Sequence, residues 1–225
     1  MGSAGVRVVV ALVVLLAGCA GGEPVSPDAA ADWSPWRADL AQLDHGDSYA
    51  RRRAVTALVA VGPDAVPALT ERLSNPDTAV RDQAIVALAA IGGADADGAI
   101  GRALSDPARA VRQRAADALI ERGPETIPAF EVTLKNPDHN VREDVVRALP
   151  RFGAASVPAL EIATRDPDVR VQRSTVAALA SLGPPSRKVL RAVADTSEHD
   201  SIALAARKAL LQIGAQSRKR AHAAP

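Results

Sequence analysis

The sequence is poor in large side chains for a core, because aromatic residues make up only 2% of its 225 residues. A single cysteine excludes an intramolecular disulfide framework. Lysine and arginine total 27 against 26 aspartate and glutamate, so the basic excess of a nucleic-acid-binding protein is missing as well. What remains is rich in Ala, Val and Leu, which predicts a core of helices packed closely through small side chains.

The start of the chain has the features of an export signal. Arg7 precedes a short apolar run, residues 8–16, which is far shorter than the roughly 20 residues that span a bilayer as a helix. The run ends in "LAGC", which resembles a bacterial lipobox. The resemblance implies that residues 1–18 are a lipoprotein signal peptide, and that Cys19 becomes the acylated first residue of the mature chain.

Two other interpretations of this segment remain open. Gly18 and Ala20 have the spacing of an ordinary cleavage site, which would release a soluble protein, and Cys19 could be an incidental apolar residue. If the lipobox holds, the chain is lipid-anchored in the bacterial cell envelope, and Ala20 implies the outer membrane, on its periplasmic side, in a double-membrane bacterium. Residues 19–35 are rich in Gly, Ala, Pro and Asp, which predicts a flexible tether.

The rest of the chain consists of a unit repeated every 30 or 31 residues. Between the units, prolines suited to a first helical turn alternate with Asn-Pro-Asp or Asp-Pro-Asp, which stop one helix and cap the next. We predict six units over residues 36–214, each with a helix of about ten residues and one of about fourteen. A glycine in a left-handed conformation should end each longer helix. These glycines are Gly62, Gly92, Gly123, Gly153, Gly183 and Gly214.

The repeated motif is best preserved in "NPDTAVRDQAIVALAAIG", residues 75–92, and closely resembles the short HEAT repeats also found in phycobilisome-lyase-like proteins. The resemblance implies an all-α fold, a right-handed α-solenoid of about six helical hairpins. It also implies an inter-repeat ladder between acidic and arginine positions, which should be lost after Gln172 because Gln172 and Ala203 replace the arginine. The ladder residues are Asp77, Arg81, Arg112, Asp138, Arg142 and Asp168.

In the longer helices, apolar and polar residue types recur at the same positions in every repeat, and we call this pattern the phase of the helix. Counted from Val80 or its equivalent as zero, position 7 is always alanine and position 8 always leucine, which predicts burial. Positions 2, 3, 6 and 10 are often polar and fall within a stripe about 100° wide. In HEAT proteins this second helix lines the concave face, so the stripe implies a groove for a partner. The candidate groove residues are Arg114, Asp117, Glu121, Glu143, Asp144, Arg147 and Arg151.

One cluster, in residues 136–153, has the composition of a metal site. His139 and Glu143 lie four residues apart, which places them on one helix face, and Asp138 and Asp144 are close in sequence. The repeat favours another interpretation, because Asp138 occupies the recurring acidic position and the others occupy variable positions. A closed metal site needs about four ligands and the equivalent copies supply none, so we expect no metal and no cofactor in this segment.

Enzyme motifs are also missing. None of the four histidines precedes a glutamate, unlike the His-Glu pairs of HEAT-like iron hydroxylases, and no phosphate-binding loop is present. The stripe carries charges of both signs, which argues against nucleic acid and suits either a protein partner or a face that serves only solubility. We therefore predict a non-catalytic, lipid-anchored scaffold that mediates protein–protein interaction. The alternative is a phycobilisome-lyase-like protein that handles a chromophore or another ligand in its groove.

Two smaller features complete these expectations. Residues 215–225 contain a run of basic residues, Arg218, Lys219 and Arg220, and should form a disordered tail. Pro150 lies inside the fourth longer helix, which it should bend near its end because proline lacks a backbone donor.

Overall fold

The computed structural model describes residues 36–223, and the side chains of residues 36–219. The predicted signal peptide, Cys19 and the predicted tether lie outside these residues and stay predictions. The chain divides after Ala38, and the described residues from Asp39 onward form one compact unit, which contains the repeats.

Between residues 36 and 223 the regular elements are all helical, which confirms the predicted all-α solenoid. Short and long α-helices alternate, and each long helix packs beside the next long helix while most short helices pack beside the next short one. Short 3₁₀ segments join α2 to α3, α6 to α7, α8 to α9 and α10 to α11. The α-helices are α1 (Arg37–His45), α2 (Ser48–Val61), α3 (Val66–Arg72), α4 (Thr78–Ile91), α5 (Ala94–Ala103), α6 (Arg109–Arg122), α7 (Ile127–Thr133), α8 (His139–Ala148), α9 (Val157–Ala163), α10 (Val169–Leu182), α11 (Arg187–Thr196) and α12 (Asp200–Ala223).

Aspartates begin most of the long helices. The carboxylates of Asp47, Asp77, Asp138 and Asp168 accept hydrogen bonds from backbone N–H groups in the first turns of α2, α4, α8 and α10. These bonds satisfy donors that have no partner inside the helix. Helix α6 lacks a side-chain cap at Ala108, whose N–H instead donates to Asp106 at 2.8 Å.

Glycine ends four of the long helices, as the repeat predicts, but in a different conformation. Gly62, Gly92, Gly123 and Gly183 have φ between 70° and 121°, while ψ lies between −135° and −178° rather than near the left-handed helical value. This region is essentially open only to glycine. A proline follows three of the four glycines, and proline disfavours a helical conformation in the residue before it.

Buried hydroxyl groups complete these turns. Thr126 and Ser186 each donate to the carbonyl of a leucine near the end of the preceding long helix, at 2.8 Å and 2.6 Å. The Ser156 hydroxyl donates to the carbonyl of Gly153 at 2.8 Å. These side chains satisfy carbonyls that the helix ends leave open, and the sequence analysis did not identify them.

The fourth long helix is shorter than the others. Helix α8 ends at Ala148, and a 3₁₀ segment that contains Pro150 follows from Leu149 to Ser156. Proline supplies no N–H for a helical hydrogen bond, so the α-helix stops just before it. Within this segment Gly153 has a φ of 63°, so the chain still turns at the glycine of the repeat.

The last helix is longer than predicted. Helix α12 runs through Gly214 to Ala223, and Gly214 has no positive φ. The prediction that Gly214 ends the sixth long helix is therefore wrong, and residues 215–223 are helical where a disordered tail was expected. Ala215 follows Gly214 where Pro184 follows Gly183, so the restriction that a proline places on the residue before it is missing here.

The phase predicted for the long helices is confirmed. In α4, Val80, Ala84, Ile85 and Leu88 are fully buried, whereas positions 2, 3, 6 and 10 are half-buried or exposed. The constant alanine of position 7 is buried in most repeats, including Ala118. An arginine is also buried at position 1 of three long helices, and this arginine links the repeats.

Candidate binding groove and the links between repeats

Each buried arginine donates hydrogen bonds to the loop that precedes its own helix. Arg81 donates from Nη1 to the carbonyls of Asn75 and Pro76, at 2.8 Å and 3.2 Å. Arg112 and Arg142 make the same pair of bonds to the two residues that end at the loop proline. The guanidinium therefore fixes the loop that leads into its own helix, and its remaining nitrogens point to the next repeat.

Two of these arginines form buried pairs across the repeat junction. Arg81 donates to both carboxylate oxygens of Asp106, at 2.7 Å and 3.0 Å. Arg142 binds Asp166 in the same way, at 2.7 Å and 2.8 Å. All four side chains are at most 9% exposed. We call these two pairs the buried staples; their hydrogen bonds to carboxylate raise the pKa of both arginines.

Two other junctions use a different carboxylate. The aspartate of a staple directly precedes the loop proline, and this position holds Asn75 or Asn136 in the alternate repeats. An amide supplies no charge, and Arg112 instead donates to Asp144 on α8, at 2.7 Å and 3.0 Å. Arg51 pairs with the more exposed Asp77 at 2.9 Å.

The predicted acidic side of the ladder needs correction. Asp138 caps α8, and the hydrogen bond from the Asn140 backbone lowers its pKa. Asp168 accepts from the Arg170 side chain and backbone within its own helix, which lowers its pKa well below the usual range. Neither is the partner of a buried arginine. The staple residues Asp106 and Asp166 were missed, although an aspartate before the loop proline was a visible signal.

The last junction has no staple. Gln172 occupies the arginine position and donates to the carbonyl of Asp166 at 2.7 Å, so it keeps the bond to its own loop. Ser197 occupies the position of the staple aspartate, so neither charged partner is present. Gln172, Ser197 and His199 line an open, polar cleft between the fifth and sixth repeats.

Most of the predicted groove residues form charge pairs, some between neighbouring repeats and one within a helix. Arg114 on α6 donates to Asp82 on α4 at 2.8 Å. Arg151, after α8, pairs with Asp117 on α6, and Arg147 pairs with Glu143 on α8 at 2.6 Å. Five groove residues are exposed, and we call them the groove charges: Arg114, Asp117, Glu121, Arg147 and Arg151.

Glu143 and Asp144 differ from the groove charges. Their side chains are only 18% and 15% exposed. Asp144 accepts from Arg112 and belongs to the links between repeats, which corrects its assignment to the binding surface. Glu143 accepts from Ser174 on α10 at 2.6 Å as well as from Arg147, so it joins two long helices at the edge of the groove.

The cluster around His139 lies at the start of α8, where Asp138 caps the helix and His139 is its first residue. The Nδ1 atom of His139 lies 3.8 Å from Asp138 and 4.0 Å from Asp168, both beyond hydrogen-bonding distance. Among the side chains of residues 36–219, no group of three His, Cys, Asp or Glu is arranged to hold a metal ion. Within the described helices, none is both long and apolar enough to cross a membrane.

Comparison with known proteins supports the repeat assignment. A family model for HEAT repeats matches residues 38–120 and 96–162, which together exceed half of the chain. A search of curated protein sequences found no match.

Several solved structures are distantly similar to this chain. The complex of CpcE and CpcF of phycocyanin lyase from Nostoc is 21% identical, with a TM-score of 0.37, over 77% of this chain and 96% of that chain. The Cnd3–Cnd2 subcomplex of S. pombe condensin is 22% identical, with a TM-score of 0.49, over 82% of this chain and 28% of that chain. Human deoxyhypusine hydroxylase is 22% identical, with a TM-score of 0.44, over 79% and 73%. On the family match, the chain belongs to the HEAT-repeat family.

Proposed function

We propose that this chain is a non-catalytic HEAT-repeat scaffold, anchored in the bacterial cell envelope by a lipid on Cys19, which binds a protein partner along the groove charges. The observation that supports this function is the pattern of the exposed stripe on the long helices. Acidic and basic side chains are mixed along the stripe from α4 to Arg151; the pairs Arg114–Asp82 and Arg151–Asp117 join neighbouring repeats, and Arg147–Glu143 lies within α8.

The sign pattern favours a protein partner. A phosphate backbone is bound by a surface that is nearly all basic, and in this groove Asp82, Asp117 and Glu143 pair with the arginines. Mixed charge of this kind selects a partner whose own charges are complementary, and it acts on the association rate more than on the lifetime of the complex. The links between repeats support the proposal, because they fix the spacing of the helices that present these charges.

The anchor is tested by Cys19→Ala. The variant should remain unprocessed or become soluble, and it should lack an acyl label, because no thiol remains for lipid attachment. Metabolic labelling with a fatty acid and the intact mass provide the measurement. A variant that stays in the membrane fraction with the mature mass would contradict the anchor.

The groove is tested by Arg114→Gln combined with Arg147→Gln. Glutamine removes the charge without placing a carboxylate against Asp82 and Glu143, which a reversal to glutamate would do. With a partner captured from membranes, the double variant should associate more slowly and its association rate should depend less on salt. The matched control is Arg102→Gln with Arg165→Gln, which removes the same charge from the exposed surface outside the long helices. Slower association in the control alone would overturn the groove assignment.

The ligand-handling alternative has its own test. The purified chain is incubated with a bilin or with transition metal ions, and its absorbance spectrum is recorded. The scaffold proposal expects the spectrum of the free ligand. A new absorbance band that disappears in the Arg114→Gln, Arg147→Gln variant would favour ligand binding in the groove over a protein partner.

A further inference from the structure

The last repeat gathers three arginines around one surface pocket. Arg187 and Arg191 come from α11, and Arg218 comes from the C-terminal part of α12. Leu210, Gly214 and Ser217 complete the lining, which contains no carboxylate. The pocket exists because α12 continues as a helix past Gly214 and so brings Ser217 and Arg218 alongside the start of α11.

One of these arginines is held in place. Arg187 is half-buried and donates from Nη2 to the Ser217 hydroxyl at 2.8 Å and to the carbonyl of Ile213 at 3.4 Å. Arg191 follows one helical turn later, and Arg191 and Arg218 are both exposed. One fixed guanidinium next to two exposed ones offers several N–H donors to a group with several acceptor oxygens.

The charge of this pocket is not neutralised as it is elsewhere. In the earlier repeats most arginines on the long helices pair with a carboxylate, as Arg81, Arg114 and Arg142 do. From residue 187 to residue 219, no described lysine or arginine lies within 4.0 Å of a carboxylate oxygen. Asp195 is the acidic residue nearby, and it lines the adjoining depression rather than this pocket.

We infer that the last repeat carries a binding site for a phosphate group, formed by Arg187, Arg191 and Arg218. The Ser217 hydroxyl accepts from Arg187 and itself donates to the carbonyl of Ile213 at 2.9 Å, so its part is to hold Arg187 in place. Guanidinium groups bind phosphate oxygens in pairs, and these bonds are stronger than those between neutral groups. The phosphate belongs either to a soluble molecule or to the headgroup of an anionic phospholipid. The site is independent of the groove, which lies on the earlier repeats.

The first experiment measures thermal unfolding of the full chain, in neutral detergent, with inorganic phosphate or with chloride at equal ionic strength. Phosphate should raise the melting temperature more than chloride does, because it binds only the folded chain. Arg191→Gln with Arg218→Gln should weaken the apparent phosphate affinity by about tenfold or more. Neither side chain has a hydrogen-bond partner among the described residues, so the melting temperature without phosphate should not change.

The control removes two exposed arginines that are also unpaired, Arg52→Gln and Arg173→Gln, from the long helices of the first and fifth repeats. This variant should keep the phosphate response. An equal response in the wild type, the pocket variant and the control would overturn the site, because it would show that phosphate acts on the chain without a specific pocket.

The second experiment distinguishes the two sources of phosphate. The chain is mixed separately with vesicles of phosphatidylglycerol and of phosphatidylcholine, and the fraction that floats with each is measured. The lipid anchor contributes to both fractions, so their difference reports the preference for the anionic headgroup. A preference for phosphatidylglycerol that the pocket variant loses assigns the site to a lipid headgroup. A response to inorganic phosphate without that preference assigns it to a soluble phosphate compound. The absence of both in the wild-type chain would overturn the inference.

Discussion

Gly183 and Gly214 occupy the same place in the fifth and sixth repeats, but the backbone differs between them. At Gly183 the chain turns, with φ of 70° and ψ of −135°, and Pro184 follows. At Gly214 the helix continues into a further segment that begins with Ala215. A glycine therefore permits the turn, and a proline after it favours the turn because proline disfavours a helical conformation in the residue before it.

The arginines differ between the same two regions. In the second to fourth repeats an arginine at position 1 points inward and reaches a carboxylate of the next repeat. In the last repeat Arg191 and Arg218 face solvent around the phosphate pocket. A stapled junction between repeats therefore requires two residues, an arginine in one repeat and a carboxylate in the next. In the last repeat the exposed arginines do not join repeats and are free to bind an anion.

The largest expected effect is the difference in stability lost when a junction with a buried staple and the junction without one are each mutated. Arg142→Ala leaves Asp166 as a buried carboxylate without its partner, which should lower the free energy of unfolding by roughly 3–5 kcal/mol. Gln172→Ala, at the equivalent position one repeat later, removes one neutral hydrogen bond and should cost about 1 kcal/mol. Chemical denaturation of both variants measures the difference. Equal losses would mean that the staple adds nothing to the junction.

The next prediction compares the change in stability caused by an alanine-to-leucine substitution at the buried position 7 and at the exposed position 10 of a long helix. Ala118→Leu should overpack the contact between helices and destabilise the chain by roughly 1–3 kcal/mol. Ala90→Leu introduces the same side chain on the exposed stripe and should change stability little. The melting temperatures of the two variants provide the measurement, and the phase of the long helices would have to be revised if both shifted alike.

The two glycines should respond to alanine with opposite signs. Gly183→Ala places a Cβ on a residue with positive φ, which should cost roughly 1–3 kcal/mol even though no atom lies within 4 Å of that Cβ. Gly214→Ala lies inside a helix, where alanine should stabilise by about 0.5–1 kcal/mol. Denaturant unfolding of both variants checks this, and a loss of stability at position 214 would show that the helix does not continue there.

The smallest expected effect is the pH dependence of the stability that Asp168 contributes. The folded pKa of Asp168 is lowered below its ordinary value of 3.8, so its contribution to stability is present above pH 3.8 and is lost as the pH falls. Asp168→Asn should therefore be less stable than the wild type at neutral pH, and the gap should narrow under acid conditions. Unfolding curves at several pH values measure this gap. A gap that is independent of pH would show that the charge of Asp168 is not involved.

Much of this architecture is readable from the sequence, because the repeat fixes helix positions and their buried faces. The arginine positions followed from the resemblance to HEAT repeats, but Asp106 and Asp166 were missed. Their role depends on how one loop meets the next repeat, which a helical period does not describe. The helical tail was missed for a related reason, since Gly214 was aligned with glycines that precede a turn.

The groove was only partly predictable. Five of its seven predicted residues are exposed, as a polar stripe requires, whereas Glu143 and Asp144 are half-buried between helices. The helical period predicts which side chains lie on the polar face of their own helix. It does not tell which of them a neighbouring helix then contacts through an arginine or a serine, as happens with Arg112 and Ser174.

The central functional claim is that a protein partner binds the exposed stripe of the long helices. The most direct measurement is site-specific photocrosslinking of the full-length chain in intact cells, with benzoylphenylalanine placed at Gln113 on α6 or at Val132 on α7. Both side chains are exposed, so either position accepts the probe without disturbing the core. We predict a discrete crosslinked species from position 113, weaker when Arg114 and Arg147 are glutamine, and none from position 132. A discrete species from position 132 with none from position 113 would contradict it.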